Sequence, residues 1–254
     1  MTQNPEDREQ AAPPSLSLVE REALSAGPSI SLHTARNATK ARVFLAEWPP
    51  NSGQQVVLKD GSERPWWFRV TFGRYQMQRE WKTLCFLNGM QGVARPQFLA
   101  GPDAIGMERL AGESLLAVAQ GDLPDSAIEQ LEAFVNELHA RGVTHGDLHF
   151  ANVLYDAQGD RISLTDWATA CIFRPTRRGF KAWMWREWKA LDLRSLAKIK
   201  RRYAPHLLRD DECILLNSGG TPLSRAVRKV GSLFKRRKSK RPEASPPLST
   251  RVSP

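Results

Sequence analysis

The sequence predicts an α+β fold, on three observations. Strand-like runs come in pairs joined by turn residues, at 42–59, 97–107 and 153–164. Two intervening stretches, 74–88 and 126–138, instead carry apolar residues at helical spacing, and each runs into a glycine, Gly89 or Gly142. The 254 residues suffice for one two-lobed domain or two small ones, and 41% hydrophobic content with eight Trp excludes a disordered chain.

Residues 1–27, rich in Pro, Ser, Ala and Glu, are expected to be a disordered N-terminal segment. Residues 42–48 and 55–59 then form a hairpin across Pro49-Pro50-Asn51-Ser52-Gly53. Lys59 closes its second strand, where an exposed strand-end lysine is the plain reading. In the helix 74–88, Met77, Trp81, Leu84 and Cys85 share a stripe that Glu80 borders. A carboxylate at the edge of a buried face wants a cation. Lys59 is the natural partner, with solvent or Lys82 as alternatives. A second hairpin, 97–107, turns at Gly101-Pro102-Asp103 and runs into the connector Glu108-Arg109-Leu110-Ala111-Gly112-Glu113. Ser126-Ala127-Ile128-Glu129 reads as a capping box opening a helix with Ile128, Leu131, Val135 and Leu138 on one face.

After that helix comes His145-Gly146-Asp147-Leu148-His149-Phe150-Ala151-Asn152, then a third hairpin, 153–155 with 161–164, turning at 156–160. A hairpin sets its outer ends side by side, so Asn152 and Asp166 are predicted to be neighbours with Asp147 close by. Two oxygen ligands for Mg²⁺ and a nearby carboxylate are what phosphoryl transfer from ATP requires.

His145-x-Asp147-x-x-x-x-Asn152 followed by Asp166 resembles the catalytic loop and metal-binding aspartate of the protein-kinase-like superfamily. The resemblance covers residues 31–203. It implies a bilobal protein-kinase-like fold: a small antiparallel β N-lobe with one helix over 28–110, and a mainly helical C-lobe over 111–218. It further implies Asp147 as the base or hydroxyl-orienting group, His145 as support for the loop, and Asn152 and Asp166 as metal ligands. Lys59, held by Glu80, would meet the ATP phosphates, and the backbone around Glu108 and Leu110 would meet the adenine. The expected cofactors are ATP and Mg²⁺.

Several features depart from typical protein kinases. No G-x-G-x-x-G precedes Lys59, and the segment 33–42 has no glycine, which leaves Lys40 or the amides of 37–39 for phosphate contact. His149 stands where those kinases carry a lysine, and Asp166-Trp167-Ala168 replaces Asp-Phe-Gly. Only twenty-five residues separate Asp166 from Asp192. The loop His-Gly-Asp-Leu-His is similar to that of aminoglycoside phosphotransferases and of lipopolysaccharide-core (Kdo/heptose) kinases, and the shortening is shared with RIO-like atypical kinases. Asp192 reads either as a buried anchor of the catalytic loop or as an exposed helix aspartate. Trp183, Trp185 and Trp188, interleaved with Lys181, Arg186, Lys189 and Arg194, read either as a basic-aromatic surface or as core.

The resemblance therefore implies an ATP-dependent kinase whose acceptor is a glycolipid hydroxyl, a lipopolysaccharide-core sugar. A RIO-like protein serine/threonine kinase and a non-catalytic pseudokinase are the alternatives. The net charge is +10, of which the basic amphipathic tail 219–254 carries +9 from Pro222 onward. Residues 222–241 are expected on an anionic membrane surface, with an RNA-binding tail or a helix docked on the domain as alternatives. No specific nucleic-acid partner is expected. No signal peptide, transmembrane run or paired-cysteine motif stands out among Cys85, Cys171 and Cys213. The expected location is cytoplasmic, peripheral on the inner face of the inner membrane.

Overall fold

A computed structural model describes residues 14–17, 30–33, 41–173 and 179–218. Lys40, residues 37–39 and the tail 219–254 lie outside the described residues. The expectations attached to them are left there.

The small lobe is a five-stranded antiparallel sheet in the order β1-β2-β3-β5-β4 (β1 Ile30–His33, β2 Arg42–Glu47, β3 Gln55–Asp60, β4 Pro96–Leu99, β5 Ala104–Glu108). Alternation in β3 buries Val56 and Leu58 on one face, leaving Val57 and Lys59 on the other. The first face packs with Ala46, Phe98 and Leu16. Leu16 belongs to the segment expected to be disordered, yet residues 14–17 run along β4: Leu16 N donates to Leu99 O (2.9 Å) and Leu99 N to Pro14 O (3.1 Å). Phe98 fills the space over Gly106, where a Cβ would lie 2.3 Å from its ring.

The single helix of this lobe, α1 (Arg74–Phe86), begins where the sequence reading placed it and ends two residues before 88. It is fed by a helical turn, Trp66–Phe68, and a π-helical turn, Arg69–Gly73. Met77, Trp81 and Leu84 are buried in the core that continues into the second lobe. Gly89, at φ +83°, ends the chain's helical course.

The second lobe is built on α2 (Asp125–Ala140), α3 (Phe180–Tyr203) and α4 (Asp210–Asn217). Ile128, Leu131, Val135 and Leu138 are buried on one face of α2. The expected capping box is not formed: the N-cap of α2 is Pro124, two residues before Ser126, with no side-chain capping bond. Ser126 falls inside the first turn, where its hydroxyl is not at the N-cap position. Asp125 faces the helix dipole there and meets His206 at 2.7 Å. Two small sheets carry the loops: β7 (Val143–Thr144) with β10 (Cys171–Ile172), and β6 (Glu113–Ser114) with the hairpin β8 (Val153–Asp156) and β9 (Arg161–Leu164).

A buried ion cluster ties the three helices together. Lys200 of α3 donates to Glu132 of α2 (2.6 Å) and Glu212 of α4 (2.9 Å), and Arg209 adds contacts to both carboxylates. Removing one partner of a buried ion pair leaves the other uncompensated. Lys200→Met is expected to cost about 3–5 kcal/mol in urea unfolding. Lys200→Met with Glu212→Leu should recover part of that loss.

Candidate active site

The loop after α2 is held mainly by one carboxylate. Asp192, buried on α3, accepts from the backbone N–H of His145 through Oδ2 (2.8 Å) and from that of Gly146 through Oδ1 (2.8 Å). Its Oδ2 also faces His139 Nε2 of α2 at 3.2 Å. The anchoring reading of Asp192 is the one the geometry supports. Gly146 adopts φ +78°, and a Cβ there would stand 2.4 Å from the Trp188 ring and 2.9 Å from Thr169 O, so this position admits only glycine without rearrangement.

His145 is buried with its ring placed by two opposite partners. Nε2 faces the carbonyl of Thr165 (3.0 Å), which only accepts, and Nδ1 faces the N–H of Asp147 (3.4 Å), which only donates. This fixes the neutral tautomer with the proton on Nε2. Burial pushes the His145 pKa down, outweighing Asp192, the Thr165 carbonyl and the aspartates 166 and 147, which raise it.

Asn152 closes the loop. Its Nδ2 donates to Asp147 O (2.9 Å), which leaves Oδ1 as the atom available to a cation, and its backbone O accepts from Thr165 N (2.9 Å). With Val153 paired to Leu164, the hairpin brings Asn152 beside Thr165-Asp166, as the spacing predicted. The Asp147 carboxylate is half exposed, 3.6 Å from His149 Nε2.

Asp166 takes a left-handed backbone (φ 64°, ψ 70°), uncommon for a non-glycine residue and a local cost of order 1–2 kcal/mol. Its Oδ1 accepts from Lys59 Nζ at 2.8 Å, and Lys59 donates equally to Glu80 Oε2 at 2.6 Å. Glu80 also accepts from the N–H of Trp167, and Asp166 from that of Ala168. Burial lowers the Lys59 pKa, yet the two carboxylates more than reverse it and hold the ammonium charged. Burial also raises Asp166, but Lys59 outweighs it and the carboxyl is held below the usual range. At Glu80 burial wins, with Lys59 opposing, and its pKa is raised.

The sequence reading missed Arg79, next to Glu80. Its guanidinium donates to the carbonyls of Thr169 (2.7 Å) and Ala170 and to Cys171 Sγ, and lies over the Trp188 ring. No motif marks it, because its partners are backbone atoms more than ninety positions away or nearly so. The tryptophans divide: Trp188 packs on Gly146, Trp185 meets His139 and Phe173, and Trp183 stays exposed, stacked on Phe180.

Residues 87–213, half of the chain, match the phosphotransferase enzyme family (APH). The chain belongs to this family. It is a kinase-type enzyme with a bilobal α+β fold. The match takes in the loop 145–152, Asp166 and Asp192 but begins after Lys59 and Glu80, so any part of those two in phosphoryl transfer is read from geometry alone. No curated protein matches the chain.

Glu108 and Leu110 sit apart from the carboxylate cluster, at the end of β5. The Glu108 N–H donates to Arg95 O (2.9 Å) and its side chain accepts from Arg95 N (3.1 Å). Among the described residues the Leu110 N–H has no hydrogen-bond partner. A recess of about 370 Å³ lined by Ser15, Met77, Trp81, Leu99 and Pro102 includes none of the site residues.

Magnesium fits this donor set. Among the described residues no group of three or more His, Cys, Asp or Glu could enclose a metal alone. One ionised carboxylate and one amide oxygen suit an ion that takes most of its remaining ligands from phosphates and water.

A depressed His145 pKa makes the neutral ring a stabilising element. That contribution is complete above the ordinary histidine value of about 6.5 and is lost as pH falls below it. The melting temperature should therefore fall between pH 7 and 5. His145→Gln should be less stable at pH 7 and lose less on acidification.

Proposed function

We propose that this phosphotransferase moves the γ-phosphate of ATP to a hydroxyl of a lipopolysaccharide-core sugar. The observation that carries the transfer chemistry is the half-exposed Asp147, whose backbone carbonyl accepts from Asn152, with Asn152 in turn bonded to Thr165 next to Asp166, which Lys59 reaches from the small lobe. The acceptor assignment is supported by the His-Gly-Asp-Leu-His loop, which separates the chain from typical protein kinases; the short course from Asp166 to Asp192 is shared with RIO-like kinases and leaves a protein acceptor as the rival. β10 ends at Ile172 and α3 begins at Phe180, which leaves little chain for a peptide-docking platform.

In this reading Lys59 binds phosphate oxygens, and Glu80 keeps its ammonium in place. Leu110 N–H offers a donor to the adenine. Asn152 Oδ1 and Asp166 hold magnesium, which when bound neutralises the charge on the phosphates. Asp147 orients the acceptor hydroxyl and takes its proton as the new phosphorus–oxygen bond forms and ADP leaves with the electrons of the broken bond. Catalysis is mostly positioning and charge neutralisation, since little covalent chemistry is left to the protein.

The test is transfer of labelled phosphate from ATP in bacterial membrane extract. Label is expected in the glycolipid fraction, and Asp147→Ala should lower it by about 10²-fold or more with nucleotide binding retained. Label in protein alone would overturn the acceptor. No label in any fraction from folded protein would overturn the enzyme.

A further inference from the structure

Outside the cleft, the most unusual surface is the helical start of the small lobe. Trp66, Trp67, Val70, Phe72 and Tyr75 are each 50–74% exposed. The rings of Trp67, Phe72 and Tyr75 form a chain through Phe68: Trp67–Phe68 5.8 Å, Phe68–Phe72 5.9 Å, Phe72–Tyr75 6.5 Å. Large apolar side chains this exposed and this close together mark an interaction surface.

Two features say what that surface meets. Residues 64–75 contain three arginines, 64, 69 and 74, and no acid. Asp103 is the carboxylate that Arg69 (3.4 Å) and Arg74 (3.2 Å) share, while Arg64 lies over the Phe68 ring at 5.4 Å. The exposed positions also do not form a stripe. The π-helical turn 69–73 breaks the 3.6-residue period, and half-buried Phe68 and buried Gly73 fall between the exposed positions, so the segment presents a wedge and not the single amphipathic face that a protein groove accepts. Aromatic side chains at headgroup depth with arginines among the phosphates match an anionic bilayer surface.

We propose that residues 66–75 are a bilayer-docking wedge that inserts Trp66, Trp67, Val70, Phe72 and Tyr75 into the interface of an anionic phospholipid membrane. Arg69 and Arg74 then face lipid phosphates. This surface is distinct from the basic tail and does not depend on the acceptor, since binding is read without ATP.

The test uses the full chain with vesicles of phosphatidylcholine alone or mixed with phosphatidylglycerol. Wild type is expected to co-sediment with the anionic vesicles, and its tryptophan emission to be quenched by lipids brominated on their acyl chains. Trp66→Ser/Trp67→Ser/Phe72→Ser keeps the same tail, so any difference belongs to the wedge. It should show an unchanged melting temperature, a partition constant about ten-fold lower or less, and loss of most of the quenching. Equal partition and equal quenching in the two proteins would overturn the proposal. So would a wild-type dimer in light scattering that the triple variant abolishes, which would assign the face to a second copy of the chain.

Discussion

A single ammonium group, Lys59 Nζ, is shared by carboxylates from two lobes. Glu80 reaches it from α1 and Asp166 from the turn after β9, at 2.6 and 2.8 Å. Two acids face one cation, and the ammonium stays ionised because both face it. The constraint runs outward along the chain. α1 must lie against the Asp166 turn for Glu80 to arrive, and Arg79, one position earlier, fastens the same turn by its carbonyls. A divalent cation at Asp166 would compete with Lys59 for that carboxylate.

The second lobe supplies the complementary rigidity. Asp192 grips two consecutive N–H groups, Thr169 Oγ1 donates to His145 O (3.0 Å), and Asn152 ties Asp147's carbonyl to the hairpin. These bonds are made by backbone or by buried side chains, so the Asp147 carboxylate is left as the loop's exposed acid. Such an arrangement suits a group that must meet a substrate without moving its supports.

Much of this was legible because it depends on local order. The hairpin 153–164 forces Asn152 toward Asp166, and β3 alternation with a helix after it sets Lys59 toward Glu80. What escaped depends on atoms that sequence patterns do not encode. Arg79 binds carbonyls, Trp188 fills the space that Gly146 leaves, and Lys200 is buried only because Glu132 and Glu212 converge on it from two other helices. The capping box at Ser126 had the right composition in the wrong register, since Pro124 caps α2 two residues sooner. The exposed aromatics of 66–75 were hidden for a related reason. The sequence shows that they are apolar, but only the fold shows that nothing among the described residues of the small lobe covers them.

The most direct test of the shared ammonium is nucleotide titration by calorimetry with and without magnesium, on wild type, Lys59→Met and Asp166→Asn. Wild type should bind ATP more tightly with magnesium, Asp166→Asn should lose that enhancement, and Lys59→Met should bind weakly in either condition. A folded wild type that gives no heat with Mg-ATP, or an Asp166→Asn protein whose magnesium dependence is unchanged, would contradict the account.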